Sequence, residues 1–96
     1  MAARTAIQLD LRDSVATALV PLSAGETVAL ETVTVALAEN IPSGHKFAVR
    51  PIAKDEAVIK YGQPIGRATK PIQPGEHVHV HNVVSQRAVR ESGVGG

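Results

Sequence analysis

One turn-and-strand unit occurs four times in this chain, and it narrows the available folds more than any other feature. Leu22-Ser23-Ala24-Gly25-Glu26-Thr27-Val28 aligns with Ile52-Ala53-Lys54-Asp55-Glu56-Ala57-Val58 at an offset of 30 residues. Ile41-Pro42-Ser43-Gly44-His45-Lys46-Phe47 aligns with Ile72-Gln73-Pro74-Gly75-Glu76-His77-Val78 at an offset of 31. Each copy reads as an aliphatic residue, two turn residues, Gly or Asp, two polar or small residues, and an apolar strand residue. Pro42 and Pro74 suit the second position of a β-turn, and Gly75 supplies the positive φ that a type II turn requires next. Two repeats of about 30 residues are too few for a solenoid, which needs at least ~3 units to bury a continuous core. A pseudo-twofold β fold with long, crossed hairpins satisfies the pattern.

Elsewhere apolar residues recur mostly at period two, in short runs broken by Gly and Pro, so the fold class is mainly β. Thr5-Ala6-Ile7-Gln8-Leu9 reads as a first strand. Asp13 reads as an N-cap, which predicts one short helix near residues 13–20, stopped by Pro21. The chain has 96 residues and two aromatics, Phe47 and Tyr61. Its core must therefore be built from Val, Ile, Leu and Ala. A chain this small buries only about 60–65% of its unfolded surface, so a partner chain or a homo-oligomer is expected on stability grounds. Residues 1–88 are read as a single domain. Residues 89–96, rich in Gly, are read as a flexible tail, either a native end or a cut before a linker.

The charge balance narrows the function. Ten Lys and Arg against nine Asp and Glu leave a net charge of +1. No nucleic acid and no anionic membrane surface is expected from that balance. Two aromatics give no platform for base stacking. No apolar run approaches the ~20 residues of a membrane span. The absence of cysteine excludes disulfides, zinc–thiolate sites, iron–sulfur ligation and a Cys nucleophile within this chain. The start, Met1-Ala2-Ala3-Arg4-Thr5, has no apolar core of signal-peptide length, and a cytoplasmic address is the expectation.

The chemistry concentrates in histidines. Of the four, His77, His79 and His81 alternate, and on a strand such residues share one face at ~6.8 Å per step. Imidazoles at that spacing can converge on one metal, and neutral imidazole is the commonest general base near pH 7. A solvated strand face that happens to carry His is the competing reading. Ser43-Gly44-His45-Lys46 lies on the turn that the repeat relates to the one before His77, which places His45 near the His77–His81 strand. Lys46 beside it offers a point charge for a carboxylate. Tyr61 offers a phenol to a substrate oxygen, or else edges a small core. There is no phosphate-cradling Gly loop, no tight carboxylate cluster and no nucleophile elbow. If the chain takes part in catalysis, it supplies part of a site.

Four segments now occur in order: Asp13-Ser14-Val15-Ala16, Ile41-Pro42-x-Gly44-His45-Lys46, Lys60-Tyr61-Gly62-x-x-Ile65-Gly66-x-Ala68 and Val78-His79-Val80-His81-Asn82. Each is short, but together, at these spacings, they resemble the small SAF-type (β-clip) domain of the altronate and galactarate dehydratase family. The resemblance covers about residues 5–85. It implies an enzyme family that removes water from sugar acids, with sulfolactate sulfo-lyase, which eliminates sulfite, as a similar relative. It also implies a divalent metal, typically iron, and a much larger domain or subunit that carries most of the substrate and metal site. The matching positions are Gly44-His45-Lys46, Lys60-Tyr61-Gly62 and His79-x-His81-Asn82. His77 falls outside the motif and ranks below His79 and His81. Lys54-Asp55 stands where the family has x-Gly, and Lys70-Pro71 stands where an acidic residue is common.

The resulting expectation is a β-clip module that serves as small subunit or N-terminal domain of a lyase acting on a small hydroxy acid by metal-assisted β-elimination. A sulfolactate sulfo-lyase small subunit and a non-catalytic sugar-acid-binding or assembly module are the alternatives. His79 and His81 are the expected acid–base groups or metal ligands, with iron(II) as the metal. His45, Lys46, Tyr61 and Asn82 are the expected substrate-contacting or supporting groups, and the isolated domain is expected to be inactive.

Overall fold

The computed structural model describes residues 4–85, so the Gly-rich tail falls outside the described residues. Among the described residues there are nine strands: β1 (Ala6–Ile7), β2 (Val15–Ala18), β3 (Thr27–Ala29), β4 (Thr34–Ala36), β5 (Lys46–Ala48), β6 (Ala57–Lys60), β7 (Gln63–Ala68), β8 (His77–Val78) and β9 (Val83–Ser85). They form three antiparallel sheets, ordered β1-β2-β5-β8, β3-β4 and β6-β7-β9. The mainly β expectation holds.

The repeat is physical. In all four units the fourth turn residue donates its N–H to the carbonyl of the first: Glu26 to Ser23, His45 to Pro42, Glu56 to Ala53, and Glu76 to Gln73, at 3.0–3.1 Å. The third residue of each turn has positive φ: Gly25 at 90°, Gly44 at 83°, Asp55 at 72° and Gly75 at 88°. Each turn then grips one residue of another strand through two backbone bonds. Leu37 is held by Gly25 and Glu26, Ala68 by Asp55 and Glu56, Ala18 by Gly44 and His45, and Ala48 by Gly75 and Glu76. The aliphatic residue that opens each unit closes the two halves, through antiparallel bridges Leu22–Ile41 and Ile52–Ile72. One detail differs from the sequence reading: Pro42 occupies the first turn position, not the second, and only Pro74 stands second.

Two apolar clusters follow the same relation. One includes Ala18, Leu22, Val28, Leu37, Ile41 and Phe47; the other holds their repeat equivalents Ala48, Ile52, Val58, Ala68, Ile72 and Val78. The single large side chain, Phe47, is replaced by Val78 in the second half. The core is therefore two small aliphatic clusters joined through the β2–β5 pair, where Val15 faces Ala48 and Ala16 faces Phe47.

The predicted helix is absent. Among the described residues there is no helix, and Val15–Ala18 is strand β2, almost wholly buried between β1 and β5. Asp13 is not a helix cap. Its carboxylate is fully buried and accepts the N–H groups of Gly62 at 2.8 Å, Tyr61 at 3.0 Å and Asp10 at 3.2 Å. Ser14 exchanges backbone and hydroxyl bonds with Ile59. The local cap signal was spent on a distant hairpin, and β-branched Val15 and Thr17 suit the strand it left. Thr5–Leu9 also shortens, to a two-residue β1. No helix among the described residues is long and apolar enough to cross a membrane.

Candidate functional site

The four turns explain why one histidine is free to act. In three of them the fourth residue is Glu, and its carboxylate folds back to accept the N–H of the first: Glu26 from Ser23, Glu56 from Ala53, Glu76 from Gln73, at 3.0, 2.8 and 2.7 Å. In the remaining turn the first residue is Pro42, which has no N–H to cap. The fourth is His45, whose ring turns instead to the neighbouring strand.

That strand is β8, antiparallel to β5, with Lys46 opposite Val78 and Phe47 opposite His77. Continuing this register by one step sets His45 against His79. Residues two apart on a strand share a face, so His45, His77 and His79 gather on one side. Nδ1 of His45 lies 2.9 Å from Nε2 of His77, one ring donating and the other accepting. Ring centroids are 4.7 Å apart for His45–His79 and 5.4 Å for His77–His79. One ligand atom from each of the three lies within 4.8 Å of the others. His81 is exposed and outside this trio, its ring centroid 5.5 Å from that of His77.

The supports are specific. Asn82 is buried and donates its amide N–H to the His77 carbonyl at 2.8 Å, while its Oδ1 accepts the His79 N–H at 3.0 Å. Its side chain is thus occupied in holding two histidines in register. Glu39 Oε2 accepts the His77 backbone N–H at 3.0 Å. Burial pushes the His77 pKa down, and the neighbouring His45, His79 and His81 add to this, with Glu39 opposing. The ring is thereby biased toward the neutral form that binds metals and accepts protons.

Lys46 leaves β5 toward the opposite face, following the strand alternation. It is half-buried, and burial first, then the charge of Lys60, lowers its pKa. Tyr61 is 60% exposed at the tip of the β6–β7 hairpin. Its φ is +58° and that of Gly62 is +69°, as a two-residue hairpin turn requires. The Lys60 ammonium lies 5.0 Å from its ring centroid, and Tyr61 makes no ring contact with the imidazoles among the described residues.

Of the residues singled out by sequence, the structure brings His45, His79 and Asn82 together, sets His81 beside His77, and leaves Lys46 on β5 and Tyr61 at the tip of the β6–β7 hairpin outside the cluster. His77, ranked lower, sits at the centre of the cluster. Period two on the strand and the neighbouring turn were the signals for it. Glu39 had no signal, since it arrives from a loop 38 residues away in sequence.

The donor set fits a metal. One ring nitrogen from each of His45, His77 and His79 could turn to a shared ion, the His45–His77 hydrogen bond giving way to it. Imidazole suits first-row divalent metals such as iron and zinc. Fold and site together define a small, twofold-repeated β module that carries a clustered-histidine site on its central sheet. Comparison with known proteins gives that class a family. The model described as the altronate/galactarate dehydratase SAF domain matches residues 4–86, and the chain belongs to this family. It is 47% identical over 76 residues to an altronate dehydratase of Escherichia coli K12, covering 79% of this chain and 15% of that protein. It is 60% identical over 47 residues to a (2R)-sulfolactate sulfo-lyase subunit alpha of Chromohalobacter salexigens, covering 49% of this chain and 50% of that protein. An altronate dehydratase of Bacillus subtilis is 38% identical over 76 residues. The chain spans half or less of the length of these relatives.

Proposed function

We propose that this chain is the small module of a cytoplasmic lyase that eliminates water or sulfite from a hydroxy acid, and that a larger chain or domain completes its active site. The observation that carries the reading is the convergence of His45, His77 and His79 on a domain of this family. These three would hold a divalent metal, iron(II) in our reading. When bound, it would supply Lewis-acid stabilisation of the charge that develops on the substrate carboxylate as the α-proton leaves.

The chain's own groups have separable tasks. His45, His77 and His79 present ring nitrogens from a fixed strand pair. His81, exposed beside His77, is placed to take or deliver a proton during elimination. Asn82 keeps His77 and His79 aligned. Lys46 offers a cation to an anionic group of the substrate, and Tyr61 contacts substrate or partner from the hairpin tip. The larger partner closes the exposed side, which this module leaves open to water. The relatives' names support a partner: one is called subunit alpha, and the altronate dehydratases are several times longer than the matched region.

The test is to mix the chain with its large lyase partner and iron(II), and to offer altronate, galactarate and sulfolactate in parallel. We expect turnover only with both chains present, and the preferred acid names the reaction. His79→Ala and His81→Ala are then measured in the complete enzyme. Activity within about twofold of the parent, roughly 0.4 kcal/mol of barrier, would assign the histidine face to structure and the module to binding or assembly. Turnover by the chain alone would overturn the split site.

A further inference from the structure

The tip of the β6–β7 hairpin breaks a local rule. Both of its turn residues have positive φ, +58° at Tyr61 and +69° at Gly62. The first position of such a turn usually takes Asn, Asp or Gly, because the left-handed region strains other side chains. Here it takes the only Tyr of the chain, and the other aromatic, Phe47, is fully buried. Asp13 holds the strained conformation, its buried carboxylate accepting the N–H groups of Tyr61 at 3.0 Å and Gly62 at 2.8 Å. The Arg12–Asp10 ion pair lies across Gly62, where a Cβ would run into the guanidinium. Arg50, which follows β5, donates to the Arg12 and Asp13 carbonyls at 3.1 and 2.9 Å. A strained residue kept in place by this much surrounding structure points to function.

What the tip presents is a surface. Tyr61 is 60% exposed, and Leu9 and Leu11, which flank Asp10 on the segment fastened to the tip, are 44% and 63% exposed. The Lys60 ammonium lies 5.0 Å from the Tyr61 ring centroid and is in no ion pair among the described residues. A fixed, exposed Tyr is the kind of anchor on which protein interfaces concentrate their affinity, and fixing it beforehand lowers the ordering cost of association. This end of the module is remote from the imidazoles. His45 precedes β5 and Arg50 follows it, a separation of about 16 Å along extended chain. A body that covers both ends must be large. The Escherichia coli altronate dehydratase supplies the scale, since the match covers only 15% of it.

We propose that Leu11 and Tyr61, with Lys60 beside the ring, form a docking surface for the larger lyase chain, separate from the histidine face, and that Asp13 is the positioning residue that sets Tyr61 for it. The partner's matching surface is an apolar socket with a carboxylate at its rim, facing the Lys60 ammonium. The proposal rests on the reading of this chain as a module completed by a larger partner, and it adds where that partner grips.

Because Tyr61 is the only Tyr, 3-fluorotyrosine labels the full chain at one position and gives one ¹⁹F NMR line. The unlabelled large lyase partner is titrated into it, with the complex followed by sedimentation and by turnover of altronate, galactarate and sulfolactate. We expect the line to shift or broaden on binding, and Tyr61→Ala to weaken the complex at least about 30-fold, as truncation of an interface anchor does. Asp13→Asn turns one acceptor into a donor that faces an N–H. Once its amide spectrum shows it folded, it should bind several-fold more weakly, and its free ¹⁹F line should narrow as the tip loosens. His79→Ala separates the two faces: turnover should fall while the complex still forms. A line unmoved by a partner that binds, or Tyr61→Ala binding within about twofold of the parent, would overturn the docking surface. So would a line that moves with the chain's own concentration while sedimentation reports a dimer, which would assign the tip to a second copy. A folded Asp13→Asn chain that binds as tightly as the parent would overturn the positioning role. A Tyr61-dependent complex that turns over none of the three acids would remove the lyase reading and leave the docking surface standing, and the absence of any complex would overturn both.

Discussion

Asn82 shows how much a single buried amide can organise. It is 3% exposed, and both ends of its side chain are bonded to the backbone of the histidine strand, at the His77 carbonyl and the His79 N–H. The sequence marked it for its place after His81, as a group that contacts or supports the substrate. The geometry gives it a supporting task that propensity and spacing do not encode, since it depends on the chain turning between His79 and Val83. Asn82→Ala leaves one donor and one acceptor without partners, and such groups cost about 1–3 kcal/mol each when buried. If the histidines hold a metal as proposed, the effect should reach its binding as well. Groups that orient ligands typically contribute 10–100-fold in affinity, so cobalt(II) affinity of Asn82→Ala should fall by about that factor. Unchanged cobalt(II) affinity in a folded Asn82→Ala chain would restrict the residue to stability.

The four turns were the most legible elements, because Gly, Pro and Asp carry their backbone requirements in the sequence. Their equivalence still hides one difference. Gly25 and Gly75 share the third turn position with nearly equal φ, 90° and 88°. A Cβ on Gly25 would meet nothing within 4 Å, whereas one on Gly75 would run into the Ala36 carbonyl and also stand 3.0 Å from the Ala38 nitrogen. Backbone strain is therefore common to both substitutions, and only packing separates them. Gly25→Ala should cost about 1 kcal/mol, the ordinary penalty for a left-handed alanine. Gly75→Ala should cost at least about 2 kcal/mol more, since the β4 end must move to admit it. Urea denaturation of the two variants reads the difference directly, and equal midpoints would show that the Gly75 turn yields freely. The same level explains the one element that sequence missed. Asp13 carried a cap signal of the usual kind, yet its carboxylate and the neighbouring Ser14 hydroxyl satisfy the β6–β7 hairpin some 45 residues on. Local pattern cannot distinguish a carboxylate that caps its own helix from one that clamps a distant turn. The first decides a helix; the second releases Val15–Ala18 to a buried strand.

At the scale of the whole molecule, folding brings His45, 32 residues away in sequence, against His77 and His79 of the β8 segment. The repeat predicted that His45 and the β8 strand would meet, so the cluster's existence was legible. Its membership was not, because motif matching favoured His79 and His81 while strand register selected His45, His77 and His79. That assembly has a thermodynamic consequence in the metal-free chain. His77 is half-buried and faces His45 from the β5 turn, His79 and His81 from its own segment, and Glu39 from the loop before the second turn. Burial acts first and the three imidazoles next, so its pKa in the folded state lies below the ordinary value of 6.5. Below 6.5 the unfolded chain takes up a proton that the folded chain holds less well. Stability is then full above the unfolded value and declines as pH falls from there through the lowered folded value. Urea midpoints should therefore match between about pH 8 and pH 7 and fall toward about pH 5, and in His77→Gln the fall should be smaller. A bound metal competes with the same protons, so saturating cobalt(II) should carry the midpoint plateau to lower pH. A midpoint that stayed level down to about pH 5 without metal would mean that the His77 ring protonates as freely in the fold as out of it, and that its burial among the other imidazoles imposes no cost.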